Sequence, residues 1–107
     1  MKYLKFYSKY VAPILSGEKT LTWRVFDEKN LTVGDELSLI NNETGEVFAM
    51  ARIVKLKECR FKDLTPEDKK AHETFITDED MYNVFAEYYK RPVGSQDHLK
   101  IITFELI

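Results

Sequence analysis

At 107 residues, with 44% hydrophobic and 32% charged residues, the chain has the size and composition of one small globular domain. Its 16 basic and 18 acidic residues give a formal charge of −2, which argues against a protein that binds long nucleic acids through a basic excess. Apolar runs are short and interrupted by charge, so neither a transmembrane span nor a signal peptide is predicted.

The cysteine and histidine content limits the chemistry further. Cys59 is the only cysteine, which excludes an internal disulfide and fits a reducing cytoplasm; a buried or half-buried thiol is favoured over a nucleophile. His72 and His98 stand far apart without metal-like spacing, so no metal site and no cofactor are predicted. We expect a cytoplasmic monomer that has a small-molecule partner and no membrane partner.

The first third of the chain predicts a strand, a short helix and a second strand. "KYLKFY" (2–7) alternates in the manner of a strand, and "TLTWRVF" (20–26) is also strand-like. Between them, an apolar helical face predicts a helix over 9–16. Ser8 is a candidate N-cap for this helix, and Gly17 suits the left-handed residue that follows it.

The middle of the chain predicts a turn and a hairpin. Gly34 and Asp35 indicate a turn after the polar connection "DEKNLTVGD". "ELSLIN" and "EVFAMARIVKLKE" have the pattern of two strands, and "NETG" between them predicts a hairpin in which Gly45 adopts a positive φ.

Two further helices and a last strand are predicted in the C-terminal half. Thr65 is expected to cap the first helix with Pro66 at its first position, and Thr77 is expected to cap the second. Apolar side chains at helical spacing form a stripe on the second helix: Met81, Val84, Phe85 and Tyr88. "LKIITFELI" (99–107) predicts a well-buried terminal strand.

Together these elements predict an α+β fold in a single domain over 1–107. It has five to six mostly antiparallel strands in a small curved or barrel-like sheet, with two to three short helices confined to 9–16 and 65–90. A doubly wound parallel sheet is not expected, because strands and helices do not alternate along the chain.

The sequence resembles the ASCH domain family, whose fold is a PUA-like β-barrel. The resemblance rests on G-x-K-T-x-T-x-R at 17–24, followed by V-G-D at 33–35, and it extends over nearly the whole chain. It implies two activities. Many members are described as RNA-binding modules, whereas a compact bacterial branch of this length resembles N4-acetylcytidine amidohydrolase, which forms cytidine and acetate.

The amidohydrolase resemblance implies three catalytic residues. A lysine and a threonine of the K-T-x-T segment correspond to Lys19 and Thr22, and a glutamate before the second helix corresponds to Glu73. The alignment at Glu73 requires a shift of one residue, and Glu67 and Glu79 are the alternative positions. In this chemistry the threonine hydroxyl attacks the amide and the lysine, once neutral, takes its proton. The glutamate either binds the cytosine edge or protonates the leaving nitrogen.

Strand geometry bears on how these side chains meet. In a regular strand Thr20, Thr22 and Arg24 share one face. Lys19 can join them only if it precedes the strand proper, on the turn after Gly17. We expect Arg24 and Thr20 to contact the substrate, although an ion-pairing role for Arg24 is as plausible.

Aromatic residues near this segment have simpler interpretations. Trp23 is expected on the opposite, core-facing side of the strand. Tyr82 and Tyr89 either line a pocket or cover the surface of the second helix. The alternative function is a non-catalytic RNA-binding module that recognises RNA through a local cleft.

Overall fold

A computed structural model describes residues 2–26, 29–70 and 77–107, with the backbone alone at 69 and 70. The five strands are β1 (Lys2–Phe6), β2 (Leu21–Val25), β3 (Glu36–Asn41), β4 (Val47–Arg60) and β5 (His98–Leu106). The three α-helices of this part are α1 (Val11–Ser16), α2 (Pro66–Lys70) and α3 (Asp78–Tyr89), and short 3-10 turns cover Ser8–Tyr10 and Phe61–Asp63. None of these helices is long and apolar enough to cross a membrane.

The strands form a mixed sheet in the order β1-β3-β4-β5-β2. β1 pairs with β3 in parallel, with Leu4 opposite Leu39. β3 pairs with β4 in the antiparallel sense, and the register shifts between Leu39 and Ile40. The α+β prediction is therefore confirmed. The parallel β1–β3 pair is the feature that a mostly antiparallel pattern did not specify.

One compact unit comprises residues 2–21, 29–56 and 102–107. Alternate residues of β1 and β3 point inward, which is why Leu4, Leu37 and Leu39 are at most 1% exposed. Helix α1 adds Ile14 to the same cluster, and the Phe6 ring lies 6.1 Å from that of Phe104. The apolar stripe of a two-turn helix and one face of the strands thus build a single core in this unit.

The other compact unit comprises residues 22–26, 57–70 and 77–101, and its core is aromatic. Trp23 of β2 stacks on Phe85 of α3, with ring centroids 6.0 Å apart and planes 10° apart. Phe61 meets Phe85 at 5.6 Å and Tyr82 at 5.5 Å. Met81, one turn before Phe85, is buried as the predicted stripe requires. Trp23 is therefore a core residue, as expected.

Glycines occupy the turns that were assigned to them. Gly17 ends α1 with φ 86°, and Gly45 has φ 77° in the connection between β3 and β4. Gly34 has φ 94°, and the adjacent Asp35 N–H donates to the Thr32 carbonyl at 3.1 Å. Each conformation lies in the left-handed region that a side chain disfavours.

Ser8 is not the N-cap of α1, which corrects the prediction. A 3-10 turn at Ser8–Tyr10 leads into α1, whose cap position is Tyr10 and has no side-chain cap bond. The Ser8 hydroxyl instead donates to Asn41 Oδ1 at 3.1 Å. Tertiary hydrogen bonding to the end of β3 therefore replaces the local cap.

The threonine caps of the later helices are confirmed. Thr65 Oγ1 accepts from the Asp68 N–H at 3.2 Å, and Asp68 Oδ2 accepts from the Thr65 N–H at 3.1 Å. This reciprocal pair is a capping box built with aspartate. Thr77 Oγ1 accepts from the Asp80 N–H at 3.1 Å. The predicted helical range 65–90 includes residues 71–76, which lie outside the described residues. The assignment of residues 1–107 to one domain stays a prediction.

Candidate functional site

The turn after α1 places Lys19 outside strand β2. Gly17 N–H donates to the Ile14 carbonyl at 3.2 Å and Lys19 N–H donates to the Pro13 carbonyl at 3.0 Å, which folds the chain back over the helix end. β2 begins only at Leu21. Lys19 therefore precedes β2, and the alternation of side chains along the strand does not fix the direction of its side chain. This is the condition that the sequence sets for Lys19 to act together with Thr22.

A cavity of about 300 Å³ lies beside Lys19. Its walls are residues 14–17 at the end of α1, Lys19 and Thr20, and residues 104–106 at the end of β5. Lys19 is half-buried, and its Nζ lies 4.8 Å from the centre of the Tyr10 ring. This distance is within the range of a cation–π contact. Two of the predicted site residues, Lys19 and Thr20, thus line one cavity.

Thr22 lies within β2 and, at 6% exposure, is the one buried polar residue among residues 2–26, 29–68 and 77–107, whose side chains the structure describes. Trp23, the next residue, points to the other face of the strand and stacks on Phe85. Thr22 and Arg24 share a face because side chains alternate along a strand. The hydroxyl of Thr22 is thus largely screened from bulk water.

A second cavity, of about 230 Å³, is lined by Arg24, Phe26, Glu58 and residues 96–100. Two cationic side chains, Arg24 and Lys100, and two carboxylates, Glu58 and Asp97, contribute to its wall. The charged groups therefore balance, and the cavity offers both hydrogen-bond donors and acceptors. Arg24 thus lines this cavity, and its contact with substrate stays a prediction.

Hydrogen bonds order the wall formed by residues 96–100. Arg60, at the end of β4, donates through Nε to His98 Nε2 at 3.3 Å and through Nη1 to Gln96 Oε1 at 3.4 Å. Asp97 Oδ2 accepts from the Gly94 N–H at 2.8 Å, which closes the turn before β5. These bonds hold residues 96–98 of this wall in place.

Phe26 lines the same cavity and has an unusual backbone conformation. Its φ is 56°, in the left-handed region that a bulky residue rarely adopts. The Arg91 guanidinium lies 3.9 Å from the centre of its ring, and the Tyr89 ring meets its edge at 5.9 Å. Tyr89 also accepts a hydrogen bond from the Val25 N–H through its hydroxyl, at 3.0 Å.

Sequence reasoning missed Phe26 and Glu58 as cavity residues. Phe26 carries no glycine or asparagine signal for a left-handed conformation, and Glu58 is one polar residue of an alternating strand. Of the two tyrosines left open, Tyr89 supports the wall of this cavity, whereas Tyr82 packs edge-on against Phe61.

The predicted glutamates are only partly placed. Glu73 lies outside the described residues. The alternatives Glu67 and Glu79 are exposed in the first turns of α2 and α3, where a carboxylate interacts favourably with the helix dipole. Stabilisation of the helix N-terminus therefore accounts for both Glu67 and Glu79.

A charged pair and the cysteine lie beside α2. Lys57 Nζ contacts Asp68 Oδ2 at 2.5 Å, and this hydrogen bond raises the pKa of Lys57. Partial burial raises the pKa of Asp68, but the hydrogen bonds from Lys57 and Thr65 outweigh it and leave that pKa below its usual value. Burial raises the pKa of half-buried Cys59, which disfavours the thiolate needed by a nucleophile.

Comparison with curated sequences finds relatives that carry the name N(4)-acetylcytidine amidohydrolase. The N(4)-acetylcytidine amidohydrolase of Vibrio vulnificus (strain CMCP6) is 30% identical over 86 residues, which cover 80% of this chain and 81% of that protein. The protein of the same name from Vibrio atlanticus (strain LGP32) is 29% identical over 104 residues, or 97% and 94% of the two chains. In Vibrio vulnificus (strain YJ016) the match is 33% over 61 residues, covering 57% of this chain and 59% of that protein. No family model matches.

Solved structures share the fold. The ASCH domain from Lactobacillus crispatus JV V101 superposes with a TM-score of 0.68 at 18% identity, over 98% of this chain and 79% of that one. ASCH from Zymomonas mobilis gives a TM-score of 0.64 at 12% identity, over 96% and 65%. From the structural likeness the fold is ASCH, of the PUA-like type expected, and from the sequence relatives the chain belongs to the N(4)-acetylcytidine amidohydrolase family.

Proposed function

We propose that the protein hydrolyses the acetyl amide of N4-acetylcytidine, or of a related N4-acylated cytosine nucleoside, to cytidine and acetate. The family relationship carries the proposal, because relatives of that name align over nearly the whole chain and support an amidohydrolase-like activity. The K-T-x-T-x-R segment contains a lysine that can serve as the base and a threonine that can serve as the nucleophile in the cleavage of an amide.

In the proposed first step Thr22 attacks the acetyl carbon. Its oxygen forms a bond to that carbon while its proton passes to the neutral amine of Lys19. The tetrahedral intermediate then breaks its bond to N4 as Glu73 donates a proton to the departing nitrogen, and the Lys19 ammonium returns its proton to Glu73. Cytidine leaves, and the acetyl group remains as an ester on Thr22.

In the second step water attacks the ester, its proton passes to Lys19, and acetate leaves as the Thr22 oxygen regains a proton. Lys19 thus alternates between amine and ammonium. The Tyr10 ring, 4.8 Å from Nζ, supports the ammonium that forms in each half of the cycle. The burial of Thr22 limits competing contact with bulk water before the substrate binds.

The charge of the Arg24 cavity favours a nucleoside over a longer RNA. Its two cations are matched by two carboxylates, so the cavity lacks the excess of positive charge that phosphate backbones attract. Arg24 and Thr20 are the proposed substrate contacts, since both line cavities and carry hydrogen-bond donors.

Purified protein incubated with N4-acetylcytidine tests the proposal, with ultraviolet absorbance as the readout and circular dichroism as the check on folding. We expect loss of the N4-acetylcytidine spectrum and appearance of that of cytidine. Folded protein that forms no cytidine above background would overturn the proposal. Tight, steeply salt-dependent binding of an RNA oligonucleotide by such an inactive protein would instead support the RNA-binding alternative.

A further inference from the structure

The charged lining of the Arg24 cavity comes from three neighbouring strands. Glu58 comes from β4, Lys100 from β5 and Arg24 from β2, and these strands are adjacent in the sheet order. A guanidinium and a carboxylate that line one cavity offer a donor group and an acceptor group to one ligand. This pairing suits a flat molecule that carries acceptors and a donor along a single edge.

Phe26 gives the cavity an aromatic wall whose conformation requires support. A left-handed φ of 56° is unfavourable for phenylalanine and persists only where the surroundings fix it. Arg91 covers the ring at 3.9 Å, and Tyr89 fixes both its edge and the preceding Val25 N–H. Strain of this kind concentrates where a side chain is held for binding, and here the ring it holds borders a cavity.

The size and charge of the cavity restrict its ligand. At about 230 Å³ it is smaller than the roughly 300–1,000 Å³ typical of pockets for drug-sized molecules. The balanced wall charges do not favour a polyanion. A neutral heteroaromatic ring of the size of one base fits both restrictions, and every base offers a π-face to an aromatic side chain.

We propose that this cavity binds the cytosine ring of the nucleoside, with the face of Phe26 away from Arg91 as the stacking surface, Arg24 as the donor to O2 and N3, and Glu58 as the acceptor of the N4–H. The inference rests on the proposed function, and it assigns the part of the substrate that the cavity holds. The ring stays in place through hydrolysis, because the N4–H exists in both N4-acetylcytidine and cytidine.

This arrangement predicts discrimination between cytidine and uridine. Uracil carries an acceptor oxygen at position 4 and a donor at N3, so Glu58 would meet an acceptor and Arg24 would lose one of its two partners. A site whose polar groups are left unpaired by the wrong ligand rejects that ligand strongly. Glu58 is therefore a specificity-determining residue in this account.

Isothermal titration of cytidine and uridine into the full chain tests the site without requiring turnover. We expect tighter binding of cytidine than of uridine, by tenfold or more. Phe26→Leu should weaken cytidine binding by roughly tenfold, because base stacking on an aromatic ring is lost. Glu58→Gln, at an exposed position, should lower the cytidine-to-uridine preference at least severalfold, since an amide can donate to O4.

Two matched variants serve as controls. Phe48→Leu removes a half-buried ring that meets Phe6 edge-on at 6.4 Å in the other unit, and Glu36→Gln neutralises an exposed carboxylate paired with Arg52. Neither residue lines the cavity, so both variants should bind cytidine as the unmodified chain does.

The outcomes separate this inference from the proposed function. Protein that hydrolyses N4-acetylcytidine but whose cytidine binding is unaffected by both Phe26→Leu and Glu58→Gln would overturn the cavity assignment alone. Protein that binds cytidine with the expected dependence on both residues, yet forms no cytidine from N4-acetylcytidine, would support the cavity and remove the hydrolytic function. If the unmodified chain binds no cytidine, the cavity assignment fails whatever the turnover.

Discussion

The hydroxyl of Tyr89, in the last turn of α3, accepts a hydrogen bond from the Val25 N–H of β2 at 3.0 Å. β2 is the last strand in the sheet order, where backbone N–H groups lack a further strand as a partner. The tyrosine therefore provides the acceptor that a neighbouring strand would have supplied. The same ring meets the edge of Phe26, so this contact also orders the residue that follows β2.

Tyr89→Phe should lower the free energy of unfolding by about 1–2 kcal/mol, because a partly buried N–H loses its acceptor. Urea denaturation followed by tryptophan fluorescence measures the change, since Trp23 is the only tryptophan. Tyr82→Phe on the same helix is the control. It keeps the ring contact with Phe61 and should change stability by less than about 0.5 kcal/mol. Equal effects of the two substitutions would contradict the role given to the Tyr89 hydroxyl.

Lys19→Ala and Thr22→Ala should each lower kcat for N4-acetylcytidine by at least about a hundredfold, and the double variant should be little worse. The reason is that the base and the nucleophile act in one step, so the loss of either removes the whole step. Initial rates at saturating substrate measure the three variants.

Lys9→Ala is the control for Lys19, because Lys9 Nζ also lies over the Tyr10 ring, at 5.0 Å, but Lys9 does not line the cavity. It should keep the native rate. Lys19→Ala protein that still hydrolyses the substrate at a near-native rate would remove Lys19 as the base.

Glu73→Gln should lower kcat, whereas Glu67→Gln and Glu79→Gln should not. Glu58 takes the edge-binding role in the proposed cavity, so Glu73 is left with proton donation to the leaving nitrogen. Glu67 and Glu79 are exposed in first helical turns, where their loss should cost less than about 1 kcal/mol of stability. Comparison of kcat for the three variants decides the assignment. Activity lost at Glu79 and kept at Glu73 would show that the alignment shift is misplaced.

The ion pair between Asp68 and Lys57 should make the free energy of unfolding fall at acidic pH. The pKa of folded Asp68 lies below its usual value, so its contribution is present above the unfolded pKa of about 3.9 and is lost as pH falls through the folded pKa. Asp68→Asn should cost about 1 kcal/mol at neutral pH, through the weakened capping box and ion pair, and progressively less below about pH 4.

Urea denaturation at pH 7 and pH 3 measures this difference. Asp63→Asn replaces an exposed carboxylate five residues away; it is the control and should change stability by less than about 0.5 kcal/mol. A cost of Asp68→Asn that stays constant down to pH 3 would contradict the lowered pKa.

Local sequence signals predicted most elements of the fold. "ELSLIN" coincides with β3, and Gly17, Gly45, Thr65 and Thr77 hold the turn and cap positions that their chemistry favours. Ser8 failed as a cap because its hydroxyl has a partner at Asn41, 33 residues away. The parallel pairing of β1 with β3 could not be predicted either. The alternation of apolar and polar residues indicates which face of a strand is buried, but it does not indicate which strand lies next to it.

The candidate site was predictable only where it is local. The placement of Lys19 before β2 followed from Gly17 and the spacing of the motif. The Arg24 cavity depends on side chains from three strands, and Glu58 and Lys100 are 42 residues apart in sequence. Phe26 has a left-handed φ that phenylalanine rarely adopts, and Arg91 and Tyr89 hold it there. Contacts with residues distant in sequence cannot be predicted from the local sequence pattern.

The most direct test of the account is the stoichiometry of products from N4-acetylcytidine, measured by liquid chromatography and mass spectrometry. The unmodified chain should release cytidine and acetate in equal amounts over many turnovers, and the Lys19→Ala/Thr22→Ala double variant should release neither above the uncatalysed background. Product formation by the unmodified chain at no more than the rate of the double variant would contradict the central claim.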